Sequence, residues 1–148
     1  MPRWPIRPST IRRAAVLALE TLHGIRVVAL PAALDAASWP DNTTVLRLAP
    51  DDVFVIGATG EHAADIATAD ADAVIVDESG FVGCWLHPDA LADVATHIEW
   101  HLPTHRPALA QGYVAGVPAK LWVTDDHTLL LCASPYAEEL VARLKGSA

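Results

Sequence analysis

Thr43-Thr44-Val45-Leu46-Arg47-Leu48-Ala49-Pro50-Asp51-Asp52-Val53-Phe54-Val55-Ile56 decides the fold. Two runs, 43–48 and 53–56, are β-branched or apolar, and Ala-Pro-Asp-Asp divides them. Proline presets the backbone for a turn and aspartate bonds its own backbone, so the stretch predicts a β-hairpin. A fold seeded by a hairpin has antiparallel pairing at its heart.

The pattern continues in both directions. Downstream, a turn between Gly57 and Gly60 leads into an Ala-rich helix over 61–69. Next come a strand at 74–76, a turn at Glu78-Ser79-Gly80 and a strand at 81–86. His87-Pro88-Asp89 opens a helix that runs to Trp100, with Pro first and Asp in the turn where the helix dipole favours it. Strands at 109–114 and 119–123 are divided by Gly116-Val117-Pro118, and Asp125-Asp126-His127 turns the chain into a strand at 128–132. Ser134 caps a closing helix with Glu138 and Glu139 near its start, Arg143 and Lys145 at its end and Gly146 as its C-cap.

Upstream, Ile11, Ala15, Leu19 and Leu22 have helical spacing over 10–22, and Gly24 ends that helix. A strand at 25–30 and a Pro/Ala/Asp/Ser loop at 31–42 complete the reading. Hairpins separated by single helices indicate an α+β fold with a mainly antiparallel sheet and packed helices. The expected organisation is a basic N-terminal arm with a short helix over 1–24, then a single α+β domain over 25–148.

The 148 residues suit one ordinary domain, and 52% hydrophobic with 19% charged residues is enough to build a core. A net charge of -8 argues against a general nucleic-acid binder, which needs a basic surface to displace phosphate counterions. The longest uncharged run, 107–119, is too short and too rich in Gly and Pro to span a membrane. The apolar stretch 14–19 is too short for a signal-peptide core. A cytoplasmic protein with no membrane association is the expectation. Charge is uneven: Arg3, Arg7, Arg12 and Arg13 crowd the first thirteen residues, while eleven acids and no Lys or Arg lie between Arg47 and Arg106. A basic arm bearing Trp4 on an acidic body reads either as a solvated terminus or as a segment that docks on a partner, with Trp4 as its anchor.

Three constellations bear on chemistry. Val53 to Ala63 resembles a strand, a Gly-rich turn and a helix start, with Asp77 about twenty residues on, as in a dinucleotide site. However, Thr59 and His62 stand where its second and third glycines belong, and the chain after Asp77 reads as a hairpin. His97 and His101 are four apart, the spacing of a zinc pair on one helical face, yet the sequence places no third ligand. Cys84 and Cys132 lie in apolar strands, where a thiol acts as a small hydrophobe. Ser79 and Ser134 lack the Gly-x-Ser-x-Gly elbow of a nucleophile. No catalytic, cofactor-binding or metal-binding residue is assigned. Trp85 and Trp122, in apolar strands, are expected in the core, and Trp100 at an interface or helix end.

The order of motifs resembles the gamma subunit of heterotetrameric sarcosine oxidase, a family related to the aminomethyltransferase (glycine-cleavage T protein) domain. Leu46 to Val55 is similar to its strand, Pro-acidic turn and strand. Val76-Asp77-Glu78-Ser79 resembles its Asp-x-Ser turn, and Pro88-Asp89-Ala90-Leu91 its next helix start. Gln111 to Trp122 resembles its late hairpin, and Ser134-Pro135-Tyr136-Ala137-Glu138 the start of its closing helix. The resemblance implies a T-protein-like single domain acting as a non-catalytic accessory subunit of a flavin-dependent complex that oxidises an N-methyl amino acid or related amine. It further implies that FAD, FMN and NAD sit in larger flavoprotein partner subunits and none in this chain. Trp4, Arg7, Arg12, Arg13 and Trp100 are then the candidate partner contacts. The alternatives are a stand-alone T-protein-like domain binding folate or another small ligand, a nucleotide-binding protein using the turn from Gly57 to Gly60, and a metal protein using His97 and His101.

Overall fold

The computed structural model describes residues 18–146. Trp4, Arg7, Arg12 and Arg13 lie outside the described residues, as does most of the expected first helix. Seven strands are hydrogen-bonded in the order β2-β3-β1-β4-β7-β6-β5, where β1 is Glu20–Val28, β2 Thr44–Ala49, β3 Asp52–Ile56, β4 Val74–Leu86, β5 Ala108–Val114, β6 Val117–Val123 and β7 Thr128–Ala133. Among the described residues four α-helices accompany them: α1 Pro31–Asp35, α2 Ala64–Ala69, α3 Pro88–Ala95 and α4 Ala137–Gly146. The pairs β1–β3, β2–β3, β5–β6 and β6–β7 are antiparallel, so the expected α+β class with mainly antiparallel sheet holds.

Contacts gather in two compact units, residues 21–81 and residues 18–20 with 82–146, and β4 contributes its two ends to different units. In the first unit the predicted hairpin forms as β2 and β3, with Leu46 opposite Phe54 and Val45 opposite Val55. Side chains alternate across a strand. Ile25, Val27, Val53 and Val55 therefore share one face and pack with Leu34 and Ile66, and all six are buried. Removing these side chains from water supplies about 1.5–3 kcal/mol each, offset by the entropy of ordering them.

In the second unit the hairpin β5–β6 closes through Ala115 and Gly116, both at positive φ (52° and 78°), the twist a two-residue turn between right-twisted strands requires. Ala110, Val114, Ala119, Leu121 and Leu130 form the inner face, with Leu86, Val94, Leu140 and Leu144 packed on it.

Several local expectations are corrected. The segment from Glu20 is strand, because β1 pairs with β3 from Gly24 to Val28. Gly24 thus lies within a strand and ends no helix. Residues 31–35 form α1 where a loop was expected. Glu78-Ser79-Gly80 is no turn; β4 runs unbroken for thirteen residues. The Glu78 carboxylate bonds forward to the Gly80 N–H and sideways to Arg26, holding turn-prone residues extended. The third helix stops at Ala95 instead of Trp100, because the Thr96 hydroxyl and N–H both turn back to the Asp93 carbonyl. Val117 and Pro118 belong to β6, not to the turn. Ser134 is no N-cap: it is the first residue of a short 3-10 turn, Ser134–Tyr136, that precedes α4.

Candidate functional site

The Gly-rich turn serves the backbone. Gly57 takes φ 88° and donates its N–H to the His23 carbonyl at 2.9 Å. The Thr59 N–H, an amide that would face a phosphate, donates instead to Nδ1 of His62 at 3.0 Å. The chain then makes a four-residue 3-10 turn, Gly60–Ala63, and not the long helix whose dipole holds pyrophosphate. Asp77 lies in the middle of β4, exposed, on a strand that continues to Leu86.

The histidine pair is not brought together on a helix. With α3 ending at Ala95, His97 and His101 both lie beyond it, and the His97 carbonyl accepts the Ala115 N–H at 2.9 Å. Among the described residues no three His, Cys, Asp or Glu side chains gather in a way that could hold a metal ion. Cys84 and Cys132 form no disulfide. Burial pushes the Cys84 thiol up to about 11, with a further push from neighbouring Cys132, and burial likewise raises Cys132. Both therefore stay protonated near neutral pH and behave as small hydrophobes, which matches their reading as structural residues.

The tryptophans separate into two roles. Trp100 is half-buried against the second unit's core and donates its indole N–H to the Tyr113 carbonyl at 3.0 Å. Its ring lies over Gly112, where a β-carbon would come within 2.8 Å of the indole. Trp85, expected in the core, is instead 51% exposed. Val82 and Leu86 are buried in that core, and Trp85, one residue out of step with Leu86, takes the other face of the strand. Trp122 is half-buried, not a full core residue.

The exposed Trp85 ring meets His127 edge-on, with centroids 6.4 Å apart, and His127 lies 5.6 Å from His87. These three rings come from β4, the start of α3 and the turn before β7, and they form an exposed aromatic patch. Tyr113, on β5, is also 64% exposed. The uniformly apolar run from Phe81 to Leu86 hides the alternation that would have marked Trp85 as outward-facing.

A second cluster, unmarked in the sequence, centres on Arg26. Its guanidinium grips Asp52 through two parallel bonds, Nε–Oδ1 at 2.6 Å and Nη2–Oδ2 at 2.7 Å, and reaches Glu78 Oε1 at 3.1 Å. It also lies over the Phe81 ring at 5.9 Å, and Phe81 stacks on Phe54 at 5.1 Å. Hydrogen bonding to Asp52 raises the Arg26 pKa further, against the opposing effect of burial. This is a positional lock: the arginine is bound by two acids and an aromatic face, which neutralise its charge and fix its orientation.

No protein-family model matches the sequence, and no curated protein matches it. Among solved structures, the fold matches a chain of the heterotetrameric sarcosine oxidase from Corynebacterium sp. U-96, determined in complex with pyrrole 2-carboxylate. The TM-score is 0.67 at 16% sequence identity, over 94% of this chain and 90% of that one. The resemblance carried by the motif order is thereby borne out at the level of fold: this chain shares, over nearly its whole length, the fold of a chain of heterotetrameric sarcosine oxidase.

Proposed function

We propose that this chain is a non-catalytic accessory subunit of a flavin-dependent, sarcosine-oxidase-like complex that oxidises an N-methyl amino acid or related amine. Flavin and nicotinamide cofactors, FAD, FMN and NAD, would reside in larger partner subunits, since cofactors carry the hard chemistry of such oxidations. The observation that carries the reading is the fold likeness spanning 94% of this chain and 90% of the oxidase chain. The exposed patch at Trp85, His87 and His127 supports it, because aromatic anchors on a surface suit a protein interface. Trp4 and Arg7 in the N-terminal arm are further contacts under the same proposal. Among the described residues no helix is long and apolar enough to cross a membrane.

The test is affinity capture of the tagged chain from its native cell, with a visible absorbance spectrum of the eluate. Capture of larger proteins carrying bound flavin is the expected result. A colourless chain recovered alone would overturn the reading, and folate binding by the isolated chain in calorimetry would then favour the ligand-binding alternative.

A further inference from the structure

Strands β1 and β4 are neighbours in the sheet, and two side-chain bonds fix how they run. Arg26 on β1 meets Glu78 on β4 at 3.1 Å. The Leu30 N–H, just past β1, donates to Asp70, which precedes β4, at 2.9 Å. Going forward along β1 therefore means going back along β4, so Val28 is level with Val76 and Leu30 with Val74. Side chains alternate across a strand, and these four share the face that carries Arg26 and Glu78. Ile25, Val27, Ala29 and Ile75 turn the other way, into the core of the first unit, to which all these residues belong.

Val28, Leu30, Val74 and Val76 are 40%, 58%, 54% and 49% exposed. Together they form an open apolar patch of roughly 300 Å², a size that on a monomer is often functional. An antiparallel strand with one wet face alternates apolar with polar residues, whereas a continuous apolar run marks a strand covered on both faces. Val27-Val28-Ala29-Leu30 and Val74-Ile75-Val76 are such runs, and the described residues cover them fully on one side only.

The rim of the patch defines the chemistry of the missing cover. The Asp70 carboxylate accepts the N–H groups of Leu30 and Asp72, Asp72 is exposed, and exposed Asp51 is joined to Ala29 by its carbonyl. The nearby cations are already engaged by acids, Arg26 by Asp52 and Glu78 and Arg47 by Asp35. From residue 48 to residue 105 the sequence has no Lys or Arg. A second copy would bring the same acids to the same apolar centre, on a chain of net charge -8. Two such patches would bury roughly 600 Å², about half of what a stable interface needs.

We propose that Val28, Leu30, Val74 and Val76 are the docking surface for a different protein chain, one that presents an apolar patch rimmed by Lys or Arg. This rests on the accessory-subunit reading, under which that chain is a flavin-bearing partner subunit. The apolar centre supplies affinity, and the rim of Asp51, Asp70 and Asp72 sets orientation and the rate of encounter.

The test is the complex captured from the native cell with the tagged full chain, compared with the purified chain by hydroxyl-radical footprinting. Oxidation of Leu30, Val74 and Val76 should fall in the complex. Val76→Lys should lower the flavin-bearing protein recovered per tagged chain more than about tenfold, with the thermal transition of the chain unmoved. Asp72→Lys, which leaves the apolar centre intact, should weaken capture by an amount that shrinks as salt is raised. Together with the footprint of the unmodified complex, it carries the test if Val76→Lys unfolds the chain. Flavoprotein capture with the three side chains as reactive as in the free chain would overturn this proposal and leave the accessory-subunit reading standing. An unmodified chain recovered alone would overturn both. A concentration-dependent dimer of the purified chain that Val76→Lys abolishes would assign the patch to a second copy and likewise overturn the proposal.

Discussion

A β-carbon at Gly24 would stand 2.0 Å from the backbone carbonyl oxygen of Val55. Gly24 pairs with Ile56 across β1 and β3, and Val55 is fully buried, so neither strand has room to withdraw. Gly24→Ala should destabilise the protein by about 2–4 kcal/mol, the upper range for overpacking against a rigid backbone. Chemical denaturation checks it, and a loss below about 1 kcal/mol would mean that the two strands can separate locally.

Gly112 presents the same constraint against a side chain. A β-carbon there would meet the Trp100 indole at 2.8 Å, and the ring is tethered by its bond to the Tyr113 carbonyl. Gly112→Ala should cost about 1–3 kcal/mol and shift the tryptophan emission as the ring is displaced toward water. Gly60→Ala is the control: nothing lies within 4 Å of a β-carbon at that position, so stability should change by no more than about 0.5 kcal/mol.

These glycines show which parts of the fold were legible. The hairpin β2–β3 and the run β5–β6–β7 could be read because their turns carry their own chemistry, Pro-Asp-Asp in the first, Gly116 in the second, where Val117 and Pro118 proved to be strand, and Asp-Asp-His in the third. Gly24 could not, since a glycine demanded by a neighbouring strand looks in sequence like one that ends a helix. Glu78-Ser79-Gly80 reads as a turn locally and is held straight by Arg26, twenty-six residues from one of its partners and fifty-two from the other. The aromatic patch eluded sequence reading because His87 and His127 are forty residues apart, and only the packing of β4 and β7 brings them together.

Arg26 should resist conservative replacement. Its two parallel bonds to Asp52 need a planar fork, which lysine does not possess. Arg26 and Asp52 side chains retain 29% and 20% exposure, so solvent screens part of the attraction. Arg26→Lys should cost about 1 kcal/mol, and a double-mutant cycle with Asp52→Asn should give a coupling of about 1–2 kcal/mol. A coupling near zero would show that Phe81 and Glu78, not Asp52, hold the arginine.

The Cys84 thiol, raised from 9.0 to about 11 by burial, makes a pH prediction with a definite sign. Below pH 9 the thiol is protonated in both folded and unfolded chains and its ionisation costs the fold nothing. Between pH 9 and pH 11 the unfolded chain loses its proton first, so stability falls as pH rises through that window. At pH 8 the thiolate fraction in the native chain is about a hundredfold lower than in the unfolded one, and alkylation of Cys84 should slow by about that factor. Fast alkylation at pH 8 under native conditions would show that the strand opens locally at that site.

Trp85 separates stability from assembly. The ring is 51% exposed and approaches His127 only edge-on, so Trp85→Ala removes little of the core. Loss of stability should stay below about 1 kcal/mol. If the patch is the seat of a partner subunit, truncating a central aromatic anchor removes about 2 kcal/mol or more of binding, and capture of the flavin-bearing proteins should fall more than about tenfold. Trp85→Phe should restore part of it by keeping apolar area and an aromatic face. Capture unchanged in Trp85→Ala would take the partner off this patch and return the search to Tyr113 and the arm. Capture lost together with the thermal transition would make Trp85 a structural residue, contrary to its exposure.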